Sequence, residues 1–569
     1  MKNNWLSIVI ENVSPCIDDG SFAVKCIVGE KFLVEADIFK DGHDSLEAVL
    51  LFKNKNDTSW SQVPMRLVEN DRWQAFFIPE DNARYLYTIE AWGVSDGVKT
   101  RYKYTLPLVV DRKMAEYGAW YEFFPRSQGQ VPHQSATFKD CIPRLEDIKK
   151  MGFNVVYLPP IHPIGTTNRK GPDNELIVQE NSPGSPWAIG NKEGGHKAIH
   201  PQLGSFEEFD IFINAAKDLD LEVALDMAFQ CSPDHPYVKE HPQWFFHRPD
   251  GSIHYAENPP KKYEDVYPLN FYCDDWKNLW EELKSIVVFW IKKGINIFRV
   301  DNPHTKPLYF WQWLIDEIQE EYPQVIFLSE AFSRPKIMKF LAKAGFTQSY
   351  TYFTWRNSKR DLQSYLQELI NTGMHYYFRG NFFANTPDIL PEYLQQGGVP
   401  AFKIRFILAS TLSSVYGIYS GFELCENQAK PNSEEYSGSE KYEIKIRDWD
   451  KPGNIKELIA RINTIRRENP SLQEYKNLEF YETHHENMLC CGKRTMDNSN
   501  MIVVVVNLDP FATHEDMVTL PLWKFGIEEW SFYQMHDLLT GAKYSWRGPS
   551  NFVRLDPQQN PAHIFLVTH

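Results

Sequence analysis

From Tyr117 onward, short apolar runs alternate with longer helical stretches, and this alternation constrains the fold more than any other feature of the chain. A strand that must pass through a helical crossover before the next strand builds a parallel sheet covered by its own helices. Eight strand candidates begin near Ala119 (AWYEFF), Asn154 (NVVYLPP), Glu222 (EVALDMAF), Ile295 (INIFRVD), Val325 (VIFLSEAF), Ser349 (SYTYFTW), Asn381 (NFFANTPD) and Val415 (VYGIYSG), with helical stretches such as 276–293 and 306–322 between them. Eight units predict an α/β fold of the (β/α)8 TIM-barrel type. Two connections, about 161–204 and 231–273, are too long for ordinary βα loops and are expected to form subdomain inserts over a site.

The flanks read differently. Segments 31–39, 46–52, 72–78 and 84–92 are short and β-like, and in the last two bulky residues recur at every second position between turn clusters. That pattern predicts an N-terminal β-sandwich over 1–110, then the barrel over 111–470. After about Ser471 the β pattern returns, in 477–482, 501–508 and 563–567, predicting a C-terminal β-sandwich domain over 471–569. The net charge of −15 repels phosphate backbones and anionic lipid, so neither nucleic acid nor membrane is expected as a partner. The most apolar run, 501–508, is far below the roughly 20 residues of a membrane helix. The eight cysteines show no paired metal or disulfide spacing and the start lacks a signal-peptide core, which predicts reduced thiols and a cytoplasmic location.

Barrel enzymes place reactive groups at the C-terminal ends of strands. Four acids follow apolar runs there: Asp226 closes EVALD, Asp301 closes INIFRVD, Glu330 closes VIFLSE, and Asp388 ends NFFANTPD. One such acid can equally be a helix cap or a structural carboxylate. A ring of four suits sugar chemistry, in which one carboxylate attacks the anomeric carbon and another protonates the leaving oxygen. Asp301 and Glu330 are 29 residues apart, about one βα unit, which puts them on neighbouring strands and favours the close pair of a retaining mechanism. Arg299 lies two residues before Asp301, on the same strand face, where it can hold that acid ionised or serve as a plain structural ion pair.

The segments GINIFRVDNPHTKP, FLSEAF and FFANTPDIL resemble the catalytic regions of the α-amylase superfamily. The longer strings YGAWYEFFPRS, YLPPIHPIG, RKGP, SPWAIGNKEGGHKAIHPQLG, QCSPDHP, ENPPKKYEDVYPLNF and SYTYFTWRN are similar to one branch, the α-1,4-glucan:maltose-1-phosphate maltosyltransferases. This resemblance implies transfer of maltosyl units, with retention, from α-maltose 1-phosphate to the non-reducing end of an α-1,4-glucan or maltooligosaccharide. It implies Asp301 as nucleophile, Glu330 as general acid/base and Asp388 as transition-state stabiliser, with Arg299 holding the nucleophile ionised and oriented. Asn258, Lys261, Tyr263, Asn302 and Ser185 would contact phosphate, Lys170 and Gln230 the disaccharide, and Lys441 and Tyr442 the acceptor side.

Two departures from general amylases matter. Cys231 and Pro387 stand where those enzymes carry sugar-binding histidines, which argues against ordinary starch hydrolysis. The helical insert that related enzymes place before the barrel is missing, so a homodimer is possible but cannot be carried over. An α-glucan hydrolase, another transglycosylase of the superfamily, and a non-catalytic glycan-binding protein are the competing readings. No GxxxxGK, GxGxxG, HExxH or GxSxG motif occurs, and neither metal nor other cofactor is implied.

Overall fold

In the computed structural model, which describes residues 7–568 except 96, 98, 179–181 and 260, eight parallel strands form one ring. They are β1 (Gly118–Glu122), β2 (Val155–Leu158), β3 (Glu222–Met227), β4 (Ile297–Val300), β5 (Ile326–Ser329), β6 (Gln348–Ser349), β7 (Asn381–Phe383) and β8 (Val415–Tyr419). Neighbours pair in chain order, β8 returns to β1 with Gly118 opposite Val415, and a single parallel bridge between Ser349 and Gly380 joins β6 to β7. All eight strands expected from the sequence are present, and the fold is a (β/α)8 barrel. One long helix follows each strand among the described residues: α1 (Phe138–Lys150), α2 (Phe206–Asp218), α3 (Trp276–Lys292), α4 (Leu308–Glu321), α5 (Pro335–Lys343), α6 (Lys359–Asn371), α7 (Glu392–Leu412) and α8 (Lys456–Glu468).

Local chemistry explains these elements. Helices α1 and α2 open with capping boxes, Thr137 with Asp140 and Ser205 with Glu208, which satisfy backbone donors at both first turns. Helix α3 buries Leu279, Leu283, Ile286, Val287 and Trp290, a stripe at helical spacing that lies on the sheet. Alternation along the strands sends Trp120, Val155, Tyr157, Ala224, Ile297, Leu328, Tyr350 and Phe383 into the barrel interior, so the ring is a packed core. Gly417 on β8 is opposite Phe383 on β7, and a Cβ there would sit 2.4 Å from the Phe383 ring. Only a glycine lets that ring into the interior, where it stacks on Tyr350 at 4.5 Å.

Two sheets precede the barrel: Ile8–Ser14, Phe32–Lys40, Arg72–Phe77 and Arg66–Glu69 form one, and Val24–Ile27, Leu106–Asp111, Arg84–Gly93, Leu46–Asn54 and Ser61–Pro64 the other, with Lys99–Arg101 at its side. Of the start weighed as an export signal, residues 1–6 lie outside the described residues. After the barrel, Met501–Asn507 and Ala562–Thr568 are central in a six-stranded sheet, and His514–Thr519 pairs with Ser550–Leu555 in a second layer.

One apolar cluster runs from Ile8 through the barrel helices to Ile564. Polar ties reinforce it. Arg379, just before β7, pairs with Asp111 and donates to the Cys26 carbonyl at 3.2 Å. The buried Lys25 ammonium donates to the carbonyls of Ala342, Phe346 and Tyr377, the first at the end of α5. All eight cysteines are free thiols, and no helix among the described residues is long and apolar enough to cross a membrane.

Candidate active site

Strand register assembles the reactive cluster. Asp226 on β3 and Arg299 on β4 are paired across the sheet, and Asp301 and Glu330 each lie one residue beyond their strands. The Arg299 guanidinium reaches all three acids: Nη1 is 2.8 Å from Asp226 Oδ2 and 2.9 Å from Asp301 Oδ1, and Nη2 is 2.6 Å from Glu330 Oε1. Asn302, in the left-handed region at φ 43°, turns the chain so that its backbone N–H donates to Glu330 Oε2 at 3.2 Å and its side chain to Asp301 Oδ2 at 3.3 Å. Lys306 closes the same turn from below, donating to the carbonyls of Asp301 and Asn302.

The acids differ in proton affinity. Burial would raise the Asp301 pKa, but the charges of Arg299, Lys306 and Lys441 with the Arg299 hydrogen bond together outweigh it and hold this carboxyl below its ordinary value. Glu330 goes the other way: burial, with repulsion from Asp301, Asp388 and Asp226, pushes its carboxyl well up despite Arg299. Asp226 is fully buried and pushed up to about 7 by burial, while Tyr157 Oη (2.6 Å) and Trp187 Nε1 (3.2 Å) donate to its Oδ2. An ionised carboxylate beside a protonated acid is the division of labour that retaining glycosyl chemistry needs.

Asp388 needs a correction. The sequence reading put it at a strand end, whereas β7 stops at Phe383 and Asp388 lies five residues on, in a turn closed by the Thr386–Ile389 bridge. Past Ala384 the Asn385 side chain takes over the bonds to β8, its Oδ1 accepting from Tyr419 N at 2.9 Å and its Nδ2 donating to the Tyr419 carbonyl at 3.4 Å, and the backbone leaves the sheet. The Asp388 carboxylate is 2.7 Å from Lys441 Nζ, and that ammonium also lies 4.9 Å from the Trp187 ring centroid. Trp187 therefore links the Arg299 cluster to Asp388. Ser185 and Gln230 hold its backbone: Trp187 N donates to Ser185 Oγ at 3.3 Å, and Gln230 Nε2 donates to the Trp187 carbonyl at 3.2 Å.

The remaining expected residues sit in the long loops. Asn258 and Lys261 face each other in the hairpin of Ala256–Asn258 and Lys261–Tyr263. Tyr263 is raised by burial and feels the charges of Lys441, Lys261 and Asp388, which brings the hairpin to the same mouth. Tyr442 is buried beside Lys441. Neither basic residue of the sugar-phosphate set is free: Lys170 Nζ ends on Glu264, and Lys261 Nζ on Glu435.

Sequence reasoning missed Glu122, Trp187 and Tyr350. Glu122 is buried at the end of β1 with Oε2 unpartnered, and burial raises its pKa well above the ordinary value. The strand-end rule could have found it, but the apolar run AWYEFF continues through it and hid the boundary. One cluster has metal-ligand spacing: ligand atoms of His196, Cys231 and His235 lie within 4.8 Å of one another. Its ring nitrogens are committed, however. His196 bonds the Ala228 carbonyl through Nε2 and His235 Nε2 through Nδ1, and His235 Nδ1 accepts from Tyr237 N. His235 would have to give up one of these bonds to ligate an ion, so these residues read as a satisfied core network.

Comparison with known proteins follows this geometry. A model of the "Alpha-1,4-glucan:maltose-1-phosphate maltosyltransferase, domain N/S" family matches residues 7–104, and a "GLGE, C-terminal" model matches residues 480–567. The chain is 46% identical to the alpha-1,4-glucan:maltose-1-phosphate maltosyltransferase of Myxococcus xanthus, covering 99% of this chain and 97% of that protein. It is 44% identical to the enzyme of the same name from Chlorobaculum tepidum, over 98% and 96%. Among solved structures, a maltogenic α-amylase from Thermotoga neapolitana superposes with a TM-score of 0.62 at 20% identity, covering 80% of this chain and 99% of that one. An α-amylase from Geobacillus thermoleovorans gives 0.62 at 16%, covering 79% and 98%. These two likenesses concern the fold.

Proposed function

This chain belongs to the α-1,4-glucan:maltose-1-phosphate maltosyltransferases, and from that membership and the geometry of its acids we propose that it moves maltosyl units from α-maltose 1-phosphate to the non-reducing end of α-1,4-glucans, with retention and release of phosphate. The observation that carries the retaining step is the single guanidinium of Arg299, with Asp301 on Nη1 and Glu330 on Nη2. One fork serving both acids supports a close pair, about 5–5.5 Å apart, without the gap an inverting enzyme leaves for water.

Asp301 attacks the anomeric carbon from the side opposite the phosphate, and the C1–O bond breaks as the ester to Asp301 forms. Phosphate leaves with its bonding electron pair, and the raised Glu330 can supply a proton to it. The acceptor's 4-hydroxyl then gives its proton to Glu330 and attacks C1, releasing Asp301. Two inversions leave the α-configuration. Asp388, steadied by Lys441, would hold sugar hydroxyls, and Lys170, Ser185, Gln230, Asn258, Lys261, Tyr263, Asn302 and Tyr442 line the donor and acceptor sides. The same reading has the enzyme in the cytoplasm, which its unpaired cysteines support, without nucleic-acid or membrane partners, and allows a homodimer.

The test uses one variant and two donors. A charged hydrogen bond to the leaving group contributes on the order of 1.5–3 kcal/mol, so Lys261→Ala should lower kcat/KM for maltose 1-phosphate by roughly tenfold to a hundredfold or more. Maltosyl fluoride, which reaches the same ester without a phosphate, should lose much less. Equal losses with both donors would remove Lys261 from the phosphate site. Failure of the wild-type protein to lengthen a maltooligosaccharide by two glucose units per phosphate released would remove the reaction itself.

A further inference from the structure

We propose that Glu435 is a specificity-determining residue of the donor site: a resident carboxylate that occupies the Lys261 ammonium until the anionic group of a sugar phosphate displaces it. The inference rests on the reading of Lys261 as a phosphate contact.

Three loops from different barrel strands meet here. Lys261 comes from the hairpin after β3, Glu435 from the β8–α8 connection, and Asp173 from the β2–α2 connection. Lys261 Nζ contacts Glu435 Oε1, and Lys430 Nζ is 3.0 Å from the other oxygen, Oε2. Lys430 in turn is 3.3 Å from Asp173 Oδ1 and donates to the Asp173 carbonyl at 3.2 Å. The backbone that presents Glu435 is fixed: Ala429 bridges to Tyr436, Lys430 N donates to the Glu435 carbonyl, and Glu434 accepts from Leu390 N through its carbonyl and from Trp355 Nε1 through its carboxylate.

This arrangement makes exchange inexpensive. When a dianion draws Lys261 away, Glu435 keeps Lys430 on its second oxygen and is not left as an unpaired charge. A neutral sugar offers nothing to Lys261, so the lysine stays on Glu435. Once the ester has formed and inorganic phosphate remains, recapture of Lys261 by Glu435 favours its departure. The pair is half-exposed, and such pairs shift an equilibrium by up to about fivefold.

Steady-state kinetics of the full chain test this. Glu435→Gln should lower KM for maltose 1-phosphate two- to fivefold and strengthen inhibition by inorganic phosphate by a similar factor, with KM for maltosyl fluoride unchanged. Lys430→Met leaves Glu435 to Lys261 alone and should move both quantities the opposite way, an effect that disappears in the Glu435→Gln background. A loosened loop would instead push both single variants in the same direction and disturb maltosyl fluoride too. Unchanged or weaker phosphate inhibition in Glu435→Gln overturns the inference. If Lys261→Ala still discriminates between donors while Glu435→Gln does nothing, the role of Glu435 alone falls. If Lys261→Ala spares maltose 1-phosphate, both readings fall.

Discussion

Replacing Arg299 with methionine removes one guanidinium from among three acids, and the structure sets the size of the result. The side chain is buried and pairs with Asp226, Asp301 and Glu330. Removing one partner of a buried ion pair costs about 3–5 kcal/mol, part of which is relieved here as the stranded carboxyls take up protons. Melting entropy of roughly 2.1 cal/mol/K per residue amounts to about 1.2 kcal/mol per degree for 569 residues unfolding together, so Tm should fall by only about 3–4 °C. The variant remains folded at assay temperature. Activity suffers more. Burial pushes the Asp301 carboxyl up and Arg299, with Lys306 and Lys441, holds it below its ordinary pKa, so removing the guanidinium moves it upward. Loss of a charged hydrogen bond to the nucleophile, about 1.5–3 kcal/mol, should lower kcat/KM roughly tenfold to a hundredfold before any misalignment. The sign follows: the acidic limb of the profile moves upward, so the loss should shrink as pH is raised from neutral into the alkaline range. Phosphate release from maltose 1-phosphate across this range, beside a melting curve at each pH, is the assay. A loss of equal size at every pH, with Tm unchanged, would refute the view that Arg299 acts by keeping Asp301 ionised.

The other acid carries the opposite signature. Because the Glu330 pKa is raised, wild-type transfer should decline as pH climbs through that raised value, and Glu330→Gln should flatten this alkaline limb while letting a maltosyl ester accumulate on Asp301 from the phosphate donor. Peptide mapping by mass spectrometry that finds the label on any other residue would reassign the nucleophile. Gly417→Ala should push the Phe383 ring out of the barrel interior, costing about 1–3 kcal/mol by overpacking and loosening Tyr350, which lies beside Arg299. An unaltered melting curve would mean the ring has room to retreat.

The barrel was legible because each strand is short, apolar and bounded by turn residues, so all eight could be read from pattern alone. Asp301 and Glu330 were legible for the same reason, since each follows a strand directly. Asp388 was read at a strand end because NFFANTPD runs on in text where the sheet stops at Phe383. Strands such as Val24–Ile27 and Met488–Arg494 escaped because they are buried on both faces and do not alternate. The pairing of Lys261 with Glu435 spans 174 residues and belongs to loops, where no periodicity links the partners. Distant charges meet only once the fold exists.

The ring closes through a single bridge between its two shortest strands, beside which Arg379 is anchored to Asp111 and Cys26 of the N-terminal sheets. That anchorage makes the N-terminal sheets a clasp on the barrel's thinnest seam. Cutting the chain after Asp111 would sever the clasp's backbone from the hoop it fastens and leave a buried arginine without its neighbours if the clasp drifted away. The catalytic barrel is therefore not a detachable part: whoever grafts this chemistry onto another scaffold must carry the N-terminal sheets with it.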